Sequence, residues 1–310
     1  MTIVFKVSDK KKEKMIQYYE NLRREKNPPY AVFQAMDADT IVTLYESGKV
    51  MFQGISADID AKMWAEMEEK LTGTKINIYD DKKKKEKEKK ERIENYKKST
   101  IGSDEVGTGD YFGPIVVTAA FVAKDKISLV ESLGVRDSKV LLDDKIIKIA
   151  PTLIKEIPHC TFILKNEEYN KYQKMGYNMN KIKAILHNKV LVEMKKRTPS
   201  YDKIVVDQFV YPQKYFDHIK EAKEKVMDID FTTKAESKCP SVAVASCISR
   251  YIFLVKMNEL STEIGFPILK GAGEDVDKLA AEIVKKYGPG KLNDIAKLNF
   301  KNTEKYVQYL

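Results

Sequence analysis

Cysteine and histidine are scarce: three of each occur among 310 residues. The cysteines, Cys160, Cys239 and Cys247, form no CxxC pair and are odd in number. That argues against a disulfide framework or a zinc ribbon, and the expected setting is a reducing cytoplasm. The histidines, His159, His187 and His218, are scattered, with no HExxH. No uninterrupted apolar run reaches the ~18 residues of a membrane-spanning helix, so no membrane partner is expected. Residues 1–7 lack a signal-peptide pattern and read as a strand.

What is abundant is charge. One third of the residues are charged and the net charge is +9. A basic balance favours a polyanionic partner and says nothing about fold. With 43% hydrophobic residues, the chain is long enough for one large domain and a smaller one.

Four acids stand out. Asp104 and Glu105 are adjacent within Gly102-Ser103-Asp104-Glu105-Val106-Gly107-Thr108-Gly109-Asp110, and the apolar run Pro114–Val122 follows. Neighbouring carboxylates repel and are costly to desolvate, so packing alone rarely sets them beside a buried strand. A polar, solvated turn is the plain alternative. A hard divalent cation would resolve the conflict through oxygen ligands. Asp207 ends the short apolar run Lys203–Val206, which reads as a buried strand. In open α/β sheets, sites lie beyond the carboxyl ends of strands. Glu236 precedes Val242–Ile248, a small-residue helix suited to close packing on a sheet. Alone it could be a helix cap or dipole partner. Together the four make a candidate cage for two Mg²⁺ or Mn²⁺ ions.

The run of charges from Asp80 to Arg92 cannot bury a core face and marks a boundary. The expected organisation is an N-terminal α+β domain over 1–79, a charged linker over 80–98 and a catalytic domain over 99–310. In the first domain, strands are expected at 3–7, 30–36, 40–45 and 49–53, with helices at 9–26 (Ser8 as N-cap) and 56–71. One bare sheet face is expected, with Tyr45, Lys49 and Phe52 as candidate nucleic-acid contacts. Beyond the linker, strands alternate with helices, including a long helix from Asn180 to Arg197. This pattern implies a layered α/β sheet.

The ordered motifs resemble the bacterial ribonuclease HIII family of type 2 ribonucleases H. They are Gly102–Pro114, Asp137-Ser138-Lys139, Val206-Asp207-Gln208-Phe209, Lys234-Ala235-Glu236-Ser237, Lys270-Gly271-Ala272-Gly273 and Asn299–Lys305. The resemblance implies a ribonuclease H-like mixed sheet flanked by helices, and a small N-terminal domain similar to the TATA-box-binding-protein fold that grips RNA/DNA hybrid. It maps the family's metal-site acids onto Asp104, Glu105, Asp207 and Glu236. The related ribonuclease HII enzymes usually carry Asp at the fourth position and Gly-Arg-Gly after the acid pair. Here Glu236 and Gly107-Thr108-Gly109 stand there, which disfavours excision at a single embedded ribonucleotide.

The expected activity is two-metal hydrolysis of the RNA strand of a hybrid, leaving 3′-hydroxyl and 5′-phosphate ends. Alternatives are ribonuclease HII-like excision, a non-catalytic hybrid-binding protein and a junction resolvase on the same fold. A monomer is expected. Adjacent residues of a regular strand face opposite ways, so both Asp104 and Glu105 can ligate only if the chain bends nearby, at Gly107 and Gly109. Candidate substrate contacts are Gly107, Thr108 and Gly109 near the 2′-hydroxyl, Ser138 and Lys139 on phosphate, and Asn180, His187 and Asn188 on one helix.

Overall fold

A computed structural model describes residues 2–74, 76, 90–135 and 141–310. The chain divides into two compact units, Met1–Glu88 and Lys89–Leu310.

The first unit holds β1 (Thr2–Lys6), α1 (Asp9–Tyr18), β2 (Ala31–Asp37), β3 (Thr40–Tyr45), β4 (Lys49–Gly54) and α2 (Ala57–Thr72). Its four strands form one antiparallel sheet in the order β1-β4-β3-β2. Alternation along β4 decides which side is covered: Val50 and Phe52 are fully buried, while Lys49 between the turn and Val50 is exposed. Phe52 stacks on Phe5 at 5.6 Å, and Trp64 of α2 donates to the Tyr19 hydroxyl at 2.8 Å. α1 stops at Tyr18, short of the expected Lys26, because Glu20–Leu22 tightens into a 3-10 turn and Arg23 bridges Ala35 of β2. Ser8 sits at the N-cap position without capping. Its amide and hydroxyl both bond the buried carboxylate of Glu68.

The second unit contains β5 (Thr100–Val106), β6 (Ile115–Val122), α3 (Ile127–Ser132), α4 (Asp143–Glu156), β7 (His159–Leu164), α5 (Asn166–Lys174), α6 (Met179–Arg197), β8 (Lys203–Asp207), α7 (Pro212–His218), β9 (Ile229–Thr232), α8 (Pro240–Ile264), α9 (Glu274–Tyr287), α10 (Leu292–Ile295) and α11 (Asn302–Lys305). The mixed sheet runs β7-β6-β5-β8-β9, antiparallel between β5, β6 and β7 and parallel between β5, β8 and β9. This is the α/β sheet flanked by helices that the alternating pattern implied. α7 ends at His218, and α10 stops at Ile295, where Ala296 instead bridges Phe112.

α8 and α6 pack on the two faces of this sheet. Along β5 the even positions face α8: a Cβ on Gly102 would lie 2.4 Å from the Val242 amide nitrogen. The odd positions face α6, where Ile101 joins Ile182, Leu186 and Val190 in one core cluster. By length and composition α8 could cross a bilayer. However, 67% of its most apolar window is buried within this unit, as in a core helix.

Candidate active site

β5 and β8 run parallel, with Ser103 opposite Val206 as the last paired register. Asp104 and Asp207 come next on each strand and so lie side by side at the carboxyl ends of neighbouring strands. A backbone link fastens the third acid: the Asp207 Oδ1 accepts the Ala235 amide at 2.9 Å, which ties β8 to the 3-10 turn Ala235–Ser237. Glu236 sits in that turn, 4% exposed, just ahead of α8. Asp104 is also buried, and Ser249 of α8 donates to its carbonyl oxygen at 3.2 Å. Asp104 and Asp207 are thus neighbours at the strand ends, and Glu236 follows the residue whose amide holds Asp207.

Burial, with the charges of Glu105 and Asp207 beside it, pushes the Asp104 carboxyl up to about 8. The cause is the one anticipated from sequence, like charges crowded out of water.

Glu105 is placed differently. The β5–β6 ladder continues regularly through Asp104↔Thr118, Glu105↔Val117 and Val106↔Val116. The bend expected at Gly107 and Gly109 comes only after the ladder ends, so strand alternation still turns Glu105 to the α6 side. There the His187 Nε2 meets its Oε2 at 2.8 Å and the Lys183 Nζ meets its Oε1 at 2.5 Å. Burial pushes this carboxyl up, but the bonds and charges of His187 and Lys183 outweigh that and hold it well below the usual carboxylate range.

The turn after the acids begins at Gly107, where φ is +94° and a Cβ would lie 2.2 Å from the Pro114 carbonyl oxygen. Only glycine fits such a position. Gly109 has ordinary φ and open space around its would-be Cβ, so its backbone is approachable, while Thr108 is half-buried beside it. The following loop is held from the far end of the chain. Lys297 is fully buried, and its Nζ donates to the carbonyls of Asp110 at 2.8 Å and Gly113 at 2.6 Å. Burial lowers that ammonium to about 7, with the Asp110 charge acting the other way. Gly271 donates to the Asp110 carboxylate at 2.6 Å.

Three expected substrate contacts are corrected. Phe52 lies in the core of the N-terminal unit and presents no face to a ligand. His187 is fully buried, with Nδ1 on the Ser103 hydroxyl at 2.8 Å, so it orients Glu105. Asn188 is 5% exposed and splices α6 to the 224–226 segment, donating to the Glu224 carbonyl and accepting the Val226 amide. Asn180 is exposed in the first turn of α6, and Lys49 is exposed on its sheet. Ser138 and Lys139 lie outside the described residues. Lys183, Ser103 and Lys297 were missed. The i, i+4 spacing of Lys183 and His187 on one helix, and the i, i+2 spacing of Ser103 and Glu105 on one strand, were the available signals.

A family model described as Ribonuclease HII matches residues 101–303, and the domain of unknown function DUF3378 matches residues 2–77. Ribonuclease HIII of Bacillus velezensis is 43% identical, covering 97% of this chain and 96% of its own. The chain belongs to the ribonuclease HIII family. It is accordingly an endoribonuclease, a phosphodiester hydrolase. The Bacillus subtilis ribonuclease HIII is 40% identical over 97% of this chain and 96% of its own. Among solved structures, a Bst ribonuclease HIII in complex with Mn²⁺ aligns with a TM-score of 0.70 at 35% identity, covering 99% of this chain and 98% of that one.

The donor set suits a hard divalent cation, since four carboxylates offer only oxygen. Among the described residues no three acid, histidine or cysteine side chains already converge as a metal cluster. Glu105 faces α6 and is held there by two nitrogen partners.

Proposed function

We propose that this ribonuclease HIII hydrolyses the RNA strand of RNA/DNA hybrids with two Mg²⁺ or Mn²⁺ ions, leaving 3′-hydroxyl and 5′-phosphate ends. The observation that carries the reading is the side-by-side placement of Asp104 and Asp207 at the carboxyl ends of β5 and β8, with Glu236 in the turn tied to Asp207 and Glu105 on the next strand position. These four would hold the ions, which when bound supply an activated water and neutralise charge at the scissile phosphate. Asp207, fixed by the Ala235 amide, and Asp104, fixed through the Glu105 amide at 2.8 Å, keep their carboxylates aimed out of the strand ends. The exposed Gly109 backbone gives a sugar close access, and discrimination for RNA rests on the 2′-hydroxyl. Thr108, in place of an arginine, favours runs of ribonucleotides over a single embedded one.

In the N-terminal unit, the sheet side opposite α1 and α2 carries Lys49, the half-buried Tyr45, and the exposed Val4 and Met36. We read it as a nucleic-acid contact surface in which the lysine meets phosphate.

The test is cleavage of labelled hybrid, of a duplex with one embedded ribonucleotide and of all-DNA duplex, by wild type and Glu236→Gln. Cutting of the hybrid's RNA strand alone is expected, with the variant binding hybrid but inactive. Cutting of all-DNA duplex, or wild-type turnover by the variant, refutes the reading.

A further inference from the structure

Each Glu105 oxygen already has a nitrogen partner, Oε2 from His187 and Oε1 from Lys183, and the two partners are held differently. His187 is fully buried, its ring is stacked on Phe209 at 5.3 Å, and its Nδ1 is held by Ser103, the residue two before Glu105 on the same strand face. One ring thus bridges two side chains of β5. With the Ser103 hydroxyl donating to Nδ1, the ring proton sits on Nε2 and points at Glu105. Lys183 ends a flexible four-carbon stem, one helical turn before His187. Its side chain is 11% exposed, and in the same position its ammonium lies 4.0 Å from the Phe209 ring centroid, a contact that needs no Glu105.

We propose that Lys183 is a placeholder cation, which neutralises Glu105 before metal arrives and yields Oε1 to the incoming ion, whereas His187 is a fixed positioning residue that keeps Oε2. This rests on the metal-site reading above. Placeholder and ion then compete for one carboxylate oxygen, so removing the placeholder should tighten metal binding. Removing the positioner should loosen it, as losing an outer hydrogen bond to a ligand typically does by about 10–100-fold. Two side chains touching the same carboxylate are thus assigned opposite effects, which a purely structural role for either would not give.

The experiment titrates Mn²⁺ into full-length protein without nucleic acid and follows free Mn²⁺ by electron paramagnetic resonance. Lys183→Met is expected to bind roughly 10-fold tighter than wild type, Lys183→Arg to stay close to wild type, and His187→Ala to bind at least about 10-fold more weakly, with partial rescue in His187→Gln. Lys183→Met binding no tighter than wild type overturns the placeholder, while binding by wild type itself leaves the metal-site reading standing. Wild type that binds no Mn²⁺ overturns both. A second measurement needs no variant: acylation of Lys183, read by mass spectrometry, should quicken several-fold when Mn²⁺ replaces chelator. Unchanged reactivity overturns release of the lysine.

Discussion

Replacing Asp104 by asparagine should stabilise the metal-free enzyme while abolishing its activity. In the fold this carboxyl is pushed from 3.8 up to about 8 by burial and by its acidic neighbours. The sign follows from proton binding. Between those two values the folded state holds a proton that the unfolded chain releases, so the group's contribution falls as pH rises from about 4 through about 8. The full shift corresponds to on the order of 5 kcal/mol. Relaxation and water entry in real proteins remove much of such a figure, leaving about 2–3 kcal/mol at pH 8. For a unit of this size that is a rise in Tm of about 5–10 °C. The assay is calorimetry in chelator at pH 5 and pH 8. The variant's advantage should be small at pH 5 and grow at pH 8, and Mn²⁺ should raise the Tm of wild type only. A variant no more stable than wild type at pH 8 would show that the carboxylates are not in conflict, and the metal argument would lose its physical basis.

Phe52→Ala should cost about 3–5 kcal/mol by urea denaturation and melt the N-terminal unit, because the ring is fully buried against Phe5. Lys49→Ala should leave stability within about 0.5 kcal/mol and lower hybrid affinity with a shallower salt dependence, read by fluorescence anisotropy. Gly107→Ala forces a Cβ against the Pro114 carbonyl at positive φ, so it should lose at least about 2 kcal/mol and depress kcat more than it raises KM.

Much of this arrangement was legible in the chain. An acid closing an apolar run, Lys203 to Asp207, can only be a strand delivering a carboxylate to its end. The small residues of Val242–Ile248 foretold a helix pressed on the sheet, and Gly102 provides the space. Orientation was less legible. Phe52 looked like a surface aromatic because its neighbour Lys49 is basic, but period-2 alternation places Phe52 with Val50 in the core. His187 and Asn188 are adjacent polar residues on a helix, and sequence could not tell that both are buried with partners on β5 and the 224–226 segment. The same alternation, applied to Ser103 and Glu105, would have found their shared histidine.

The loop that follows the acids is fastened by residues made long after it. Asp110 receives Gly271 from 161 residues downstream and Lys297 from 187 residues downstream. A nascent chain can therefore complete β5 and β6, and even set Asp104 and Glu105 in their ladder, while the loop has no anchor. In the order of synthesis the Gly113 carbonyl can meet Asn166 first, and the Lys297 contacts that complete the loop's fastening form only once nearly the whole chain is made.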